Sequence, residues 1–140
     1  MAQRVVVVGT CTWNHRYTHD AVAELQLLLE RMPACTVVCT NAKGGVSTII
    51  RLATRRLRYT PQFETHKCDY LLDSRGKCSM TVYENMISTI PDVFVAFLDE
   101  ASDADFKDMD LFTEKVKALD SPRGRIDVRL YYARESTRSL

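Results

Sequence analysis

The stretch Arg4-Val5-Val6-Val7-Val8-Gly9 decides the fold class. A continuous run of β-branched residues of this length suits a strand covered on both faces, as in a parallel sheet. Gly9 ends it. Beyond the polar segment Thr10 to His19, apolar residues return at intervals of three and four: Ala21, Val22, Leu25, Leu28, Leu29 and Met32. That spacing predicts a helix, and Pro33 closes it.

Thr36-Val37-Val38-Cys39 reads as a second strand. Gly44-Gly45 then opens a second helix whose apolar face is Ile49, Ile50, Leu52, Ala53 and Leu57, with Arg51, Arg55, Arg56 and Arg58 on its solvated side. Pro61 to Thr65 forms a short third strand. Cys68 to Cys78 is irregular, with turn chemistry at Asp73-Ser74-Arg75-Gly76. A third helix spans about Ser79 to Thr89, and Pro91 leads into the strand Val93 to Phe97. The acidic stretch Asp99 to Asp110 merges into a fourth helix carrying Phe106, Met109, Leu111, Phe112, Val116 and Leu119. Pro122 and Gly124 break the chain before a last strand, Ile126 to Tyr132.

Strands alternating with helices imply parallel strands joined by right-handed crossovers. The fold class is α/β, a Rossmann-like three-layer sandwich with a mostly parallel five-stranded sheet flanked by helices. One domain covers residues 1–132, and 133–140 form a polar tail.

Composition narrows the function classes. The chain has 140 residues, of which 46% are apolar and 26% charged, as in a soluble globular domain. A formal net charge of +1 provides no global field for nucleic acid, which is not the expected partner. No apolar run approaches the roughly 20 residues of a membrane-spanning helix. Val5 to Val8 is too short for a signal-peptide core, so the expected setting is intracellular and cytoplasmic, without membrane contact. The five cysteines are odd in number and form no Cys-x-x-Cys pair. They read as reduced thiols, mostly buried. His15, His19 and His66 show no ligand grouping, so neither a metal nor a cofactor is expected.

In open parallel sheets ligands bind beyond the carboxyl ends of the strands. That edge collects Gly9 to Arg16, Thr40 to Ser47, the Cys68 to Cys78 region and Leu98 to Asp105. In the second loop, Gly44 and Gly45 permit close backbone approach, and N–H groups opening the next helix suit an anion. Lys43 would add a point charge, and Ser47 or Thr48 a hydroxyl. The plainer reading is a tight strand-to-helix turn with Ser47 or Thr48 serving the helix start. Gly9 carries the same ambiguity. Trp13 either stacks on a planar base or caps the core with its indole N–H hydrogen-bonded. Tyr70 and Tyr83 have similar alternatives. The acid–base candidates are Asp69, Asp73, Glu84, Asp99 and Glu100. Each is otherwise a solvated charge.

The order of these pieces resembles the SLOG superfamily, the Smf/DprA and Lonely-Guy group, and in particular its short YspA-like branch. Arg4-Val5-Val6-Val7-Val8-Gly9-Thr10-Cys11-Thr12-Trp13 is similar to the branch's opening Arg-Val-x-Val-x-Gly-Ser-Arg-x-Trp. Thr40 to Val46 takes the place of its Gly-Gly-Ala-x-Gly-Ala-Asp, and Val82-Tyr83-Glu84-Asn85-Met86 that of its Arg-Asn-x-x-Met helix. Gly9, Trp13, Ala42, Gly44 and Met86 are the matching positions. The chain departs from the pattern at Cys11, Val46 and Val82-Tyr83. A second glycine-rich loop is replaced by Leu98-Asp99-Glu100-Ala101-Ser102, whose carboxylates repel an anion.

The resemblance implies a Rossmann-like domain that binds nucleotides or nucleotide-derived ligands, with self-association into homodimers common among relatives. Three functions follow. The first is a sensor or accessory module with weak or no catalysis, its ligand lined by Gly9, Thr10, Trp13, Lys43, Gly44, Gly45 and Ser47. The second is a hydrolase of the N-glycosidic bond of nucleoside monophosphates, with Glu100 or Glu84 as the carboxylate. The third is an interaction protein, of viral or mobile-element accessory type, that kept the fold and lost the pocket.

Overall fold

The computed structural model describes residues 3–10, 12–42, 44–68, 78–120 and 126–134, apart from the side chains at 103–105 and 120. Its strands are β1 (Gln3–Gly9), β2 (Cys35–Thr40), β3 (Gln62–His66), β4 (Val93–Leu98) and β5 (Asp127–Tyr132). Their order across the sheet is β3-β2-β1-β4-β5, and every pairing is parallel. The helices are α1 (Thr18–Glu30), α2 (Gly45–Arg55), α3 (Met80–Met86) and α4 (Asp103–Asp120).

β1 lies at the centre, with Val5 paired to Val37 on one side and to Val93 on the other. Its alternate side chains serve two separate cores. Val5 and Val7 pack with Leu25 and Leu29 of α1 and Ile49 and Ala53 of α2. Val6 and Val8 pack with Met86 of α3 and with Met109, Phe112 and Val116 of α4. All four valines are at most 2% exposed. Each contributes about 1.5–3 kcal/mol of gross burial energy, which explains why the strand is apolar at each position from Val5 to Val8 rather than at every second one.

The α/β sandwich is therefore as the sequence predicts, with a sheet that is parallel throughout. Several element ends shift by a residue or more, and two of them have a local cause or a clear extent. α1 starts at Thr18, ahead of its first apolar residue, because a 3-10 turn at His15–Tyr17 leads into it. Asn14 caps that turn, its side-chain oxygen accepting the Arg16 N–H at 3.0 Å. α3 ends at Met86, short of Thr89.

The cysteine reading needs correction. Cys68 and Cys78 form a disulfide, with Cα atoms 4.8 Å apart and both residues buried, whereas Cys35 and Cys39 are free and buried. A spacing of ten residues carries no motif, so nothing in the sequence separates this pair from the others. Cys11, Asp69, Tyr70 and the turn at 73–76 lie outside the described residues, as does the tail beyond Arg134. Among the described residues no helix is long and apolar enough to cross a membrane, and no three potential ligands group around a metal position.

An ion-pair chain also crosses the sheet. The Arg4 guanidinium on β1 spans β2 to make two bonds with Glu64 on β3, at 2.8 and 3.0 Å. His66 Nε2 lies 2.8 Å from the same carboxylate. The Arg4 bond, helped by His66, holds the Glu64 carboxyl at about 2.

Candidate functional site

From β1 the chain runs outward to β2 and β3, then crosses back to β4 on β1's other side. The carboxyl ends of β1 and β4 thus meet at a topological switch point, where this architecture opens its crevice. Two loops border it, the segment from Thr10 to Tyr17 and the 3-10 turn Glu100–Ser102.

Backbone bonds clasp these loops together. The Thr10 N–H donates to the Phe97 carbonyl at 3.0 Å, and the Asp99 N–H donates to Thr10 Oγ1 at 3.1 Å. Asp99 then spends its carboxylate on the chain: Oδ2 accepts the Asn14 N–H at 2.9 Å and Oδ1 the Ala101 N–H at 3.0 Å. Thr10 is 2% exposed and Asp99 6%. Asp99, an acid–base candidate by sequence, is a buried bracket between two loops. The Thr12 and Ser102 hydroxyls touch across the same seam.

The glycine loop sits beside this clasp. Gly44 holds φ 152° and ψ −169°, a conformation open essentially to glycine alone, and opens α2 with no side chain capping it. The Thr48 N–H bonds back to the Gly44 carbonyl at 3.3 Å. Among the described residues, no side chain caps the first N–H groups of α2. This is the local arrangement that suits an anion at a helix start.

What lies against the loop is protein. A Cβ on Gly9 would fall into the Val46 Cγ2 methyl and come within 2.7 Å of the Phe97 carbonyl oxygen. A Cβ on Gly45 would run into the Trp13 Cβ, with the Trp13 Cα 3.2 Å away. Both glycines are demanded by close packing. The space left is a cavity of about 40 Å³, walled by Gly9, Thr10, Thr40, Gly44, Ser47 and Tyr83 among others. Liquid water occupies about 30 Å³ per molecule, so this space is on the scale of a single water.

The residues singled out by sequence divide accordingly. Gly9, Thr10, Gly44 and Ser47 line the cavity. Gly45 packs against Trp13, whose ring stands edge-on to Phe97 at 5.7 Å and is 9% exposed. Trp13 thus caps the core, although its indole N–H is buried without a hydrogen-bond partner. Lys43 lies outside the described residues. The two glutamates do not reach the cavity. Glu84 pairs with Lys115 of α4 at 2.7 Å, and Glu100, 63% exposed at its side chain, pairs with Arg134 at 3.8 Å.

Sequence reasoning missed what fills the loop. The Val46 methyl proves to occupy the space above Gly9. Cys78 also reaches the cavity wall, brought there beside the disulfide. Nearby on β2, burial pushes the Cys39 thiol up, so it stays protonated and unreactive near neutrality.

No protein-family model, no curated protein and no solved structure matches this chain.

Proposed function

We propose that the chain is a SLOG-like module that binds a nucleotide or nucleotide-derived ligand with weak or no catalysis. The observation that carries this reading is Gly44, in its glycine-only conformation, opening an uncapped helix at the carboxyl edge beside Gly9 and Thr10. The phosphate sits at the mouth of α2, because the interior of the loop is taken by Val46 and Trp13. No carboxylate among the described residues borders the cavity, which supports weak or no catalysis over the N-glycosidase alternative.

Calorimetric titration with nucleoside mono- and diphosphates and ADP-ribose tests the reading. Ser47→Asp sets a negative charge in the first turn of α2. It leaves the fold intact and abolishes binding of the phosphate-bearing ligands. Silence of the folded native protein across the panel would refute the proposal.

One observation favours a second reading. Side chains from this chain already fill the glycine loop, as they would in an interaction protein that kept the fold and lost the pocket. Exposed Leu27 on α1 and Leu111 on α4, 55% and 70% accessible, are the apolar helix positions open to a second copy. A homodimer by sedimentation, with no ligand binding, supports that reading over the first.

A further inference from the structure

A second concavity opens on the α1 side of the switch point, where β5 ends. It is about 130 Å³ and is lined by Trp13, Tyr17, Asp20, Glu24, Tyr131 and Arg134, with Ala21 and Tyr132 completing the wall. That volume is close to the ~150 Å³ cavity known to admit a benzene ring. Three aromatic groups form its back. Tyr131 stacks on Phe97 at 5.3 Å and 21°, and Trp13 stands edge-on to the same Phe97. The small Ala21 lies between Asp20 and Glu24, which sit one turn apart on the same face of α1.

The chemistry of the lining selects an occupant. The carboxylates of Asp20 and Glu24 disfavour a phosphate and accept from a donor. Asp20 is exposed and carries no ion pair among the described residues. Rings with carboxylates also suit an organic cation. Here, however, cationic groups already stand at the pocket: Arg134 lines it, and Arg16 lies 5.7 Å from the Tyr17 centroid. A further cation would meet those charges, while a neutral planar ring would not.

We propose that this pocket takes the heteroaromatic ring of a nucleoside that bears an exocyclic amine. The ring packs against Trp13 and Tyr131, and the amine donates to Asp20. The inference rests on the nucleotide reading above and deepens it by separating the base end of the ligand from the phosphate end. Trp13 joins the two, with its Cβ on Gly45 and its ring in this pocket.

The chain's single tryptophan makes the test direct. Fluorescence of the native protein is titrated with cytidine and adenosine, with uridine and inosine as keto counterparts, and with tetramethylammonium. Saturable quenching by the amino nucleosides, at least tenfold tighter than by the keto ones, is the expected result. Asp20→Asn reduces that preference about tenfold with an unchanged circular dichroism spectrum; should the variant unfold, the amino-to-keto ratio of the native protein decides alone. No saturable quenching by any nucleoside, equal binding of amino and keto bases, or quenching by tetramethylammonium in their place would overturn the proposal. Comparing cytidine with its 5′-monophosphate separates the two sites. Base selectivity with no gain from the phosphate leaves this pocket standing and removes the α2 site. Phosphate binding without base preference or a Trp13 response does the reverse.

Discussion

The Val46 side chain occupies the space that a Cβ on residue 9 would need. The contact joins the start of α2 to the end of β1, and the Phe97 carbonyl oxygen closes the other side at 2.7 Å from that position. Gly9→Ala therefore overpacks the seam and costs about 1–3 kcal/mol by urea unfolding. Adding Val46→Ala recovers part of the loss, because the methyl leaves and the carbonyl stays. A cycle with no coupling between the two positions would show that they do not touch.

Asp99 provides a second test, this time of the clasp. Asp99→Ala leaves the N–H groups of Asn14 and Ala101 without acceptors in a part-buried seam. The expected cost is about 2–4 kcal/mol, since an unsatisfied buried donor costs about 1–3. If Asp99 were only a solvated loop charge, the change would stay within about 0.5 kcal/mol.

Acid titration reads the chain of charges across β2. Folding lowers the Glu64 carboxyl to about 2 from its ordinary 4.5. As pH falls, the unfolded chain takes up the proton first. The contribution of Glu64 is whole above about 4.5 and disappears as pH falls toward 2. Because the Glu64 side chain is 40% exposed, solvent screening limits that contribution to about 1 kcal/mol. Glu64→Gln flattens this part of the stability–pH curve, and added salt shrinks it in the native protein.

Thiol chemistry checks the corrected cysteine assignment. Under denaturing, non-reducing conditions an alkylating reagent labels Cys35 and Cys39 and spares Cys68 and Cys78; after reduction it labels Cys68 and Cys78 too. Reduction of the folded protein lowers its stability by about 2–3 kcal/mol, the usual scale for a short closed loop. Full labelling of Cys68 before reduction would contradict the bridge.

The layers of this fold were legible because their signals are local. Val5 to Val8 and Val93 to Leu98 are apolar at every position and prove to be buried on both faces. Gly44 was legible as a glycine opening a helix, and its backbone angles explain why no other residue type stands there. What fills the loop was not legible. Val46 reads as one more helix residue, and only the approach of α2 to β1 gives its methyl a target. Asp99 looks like any carboxylate at a strand end until the Asn14 backbone is brought within 2.9 Å of it. The clasp and the aromatic wall share this property. Each joins groups far apart along the chain, where spacing rules have no purchase.

The central position of β1 has a consequence for how the molecule assembles. One of its ladders closes early, Val5 meeting Val37 after a single helix. The other waits for Val93, so a strand with four successive valines spends much of folding with one edge open. Ring closure over so long a stretch is slow, and an unpaired valine edge is sticky while it lasts. Refolding yield should therefore fall steeply with protein concentration, and changes that weaken β4 should lower that yield more than they lower equilibrium stability.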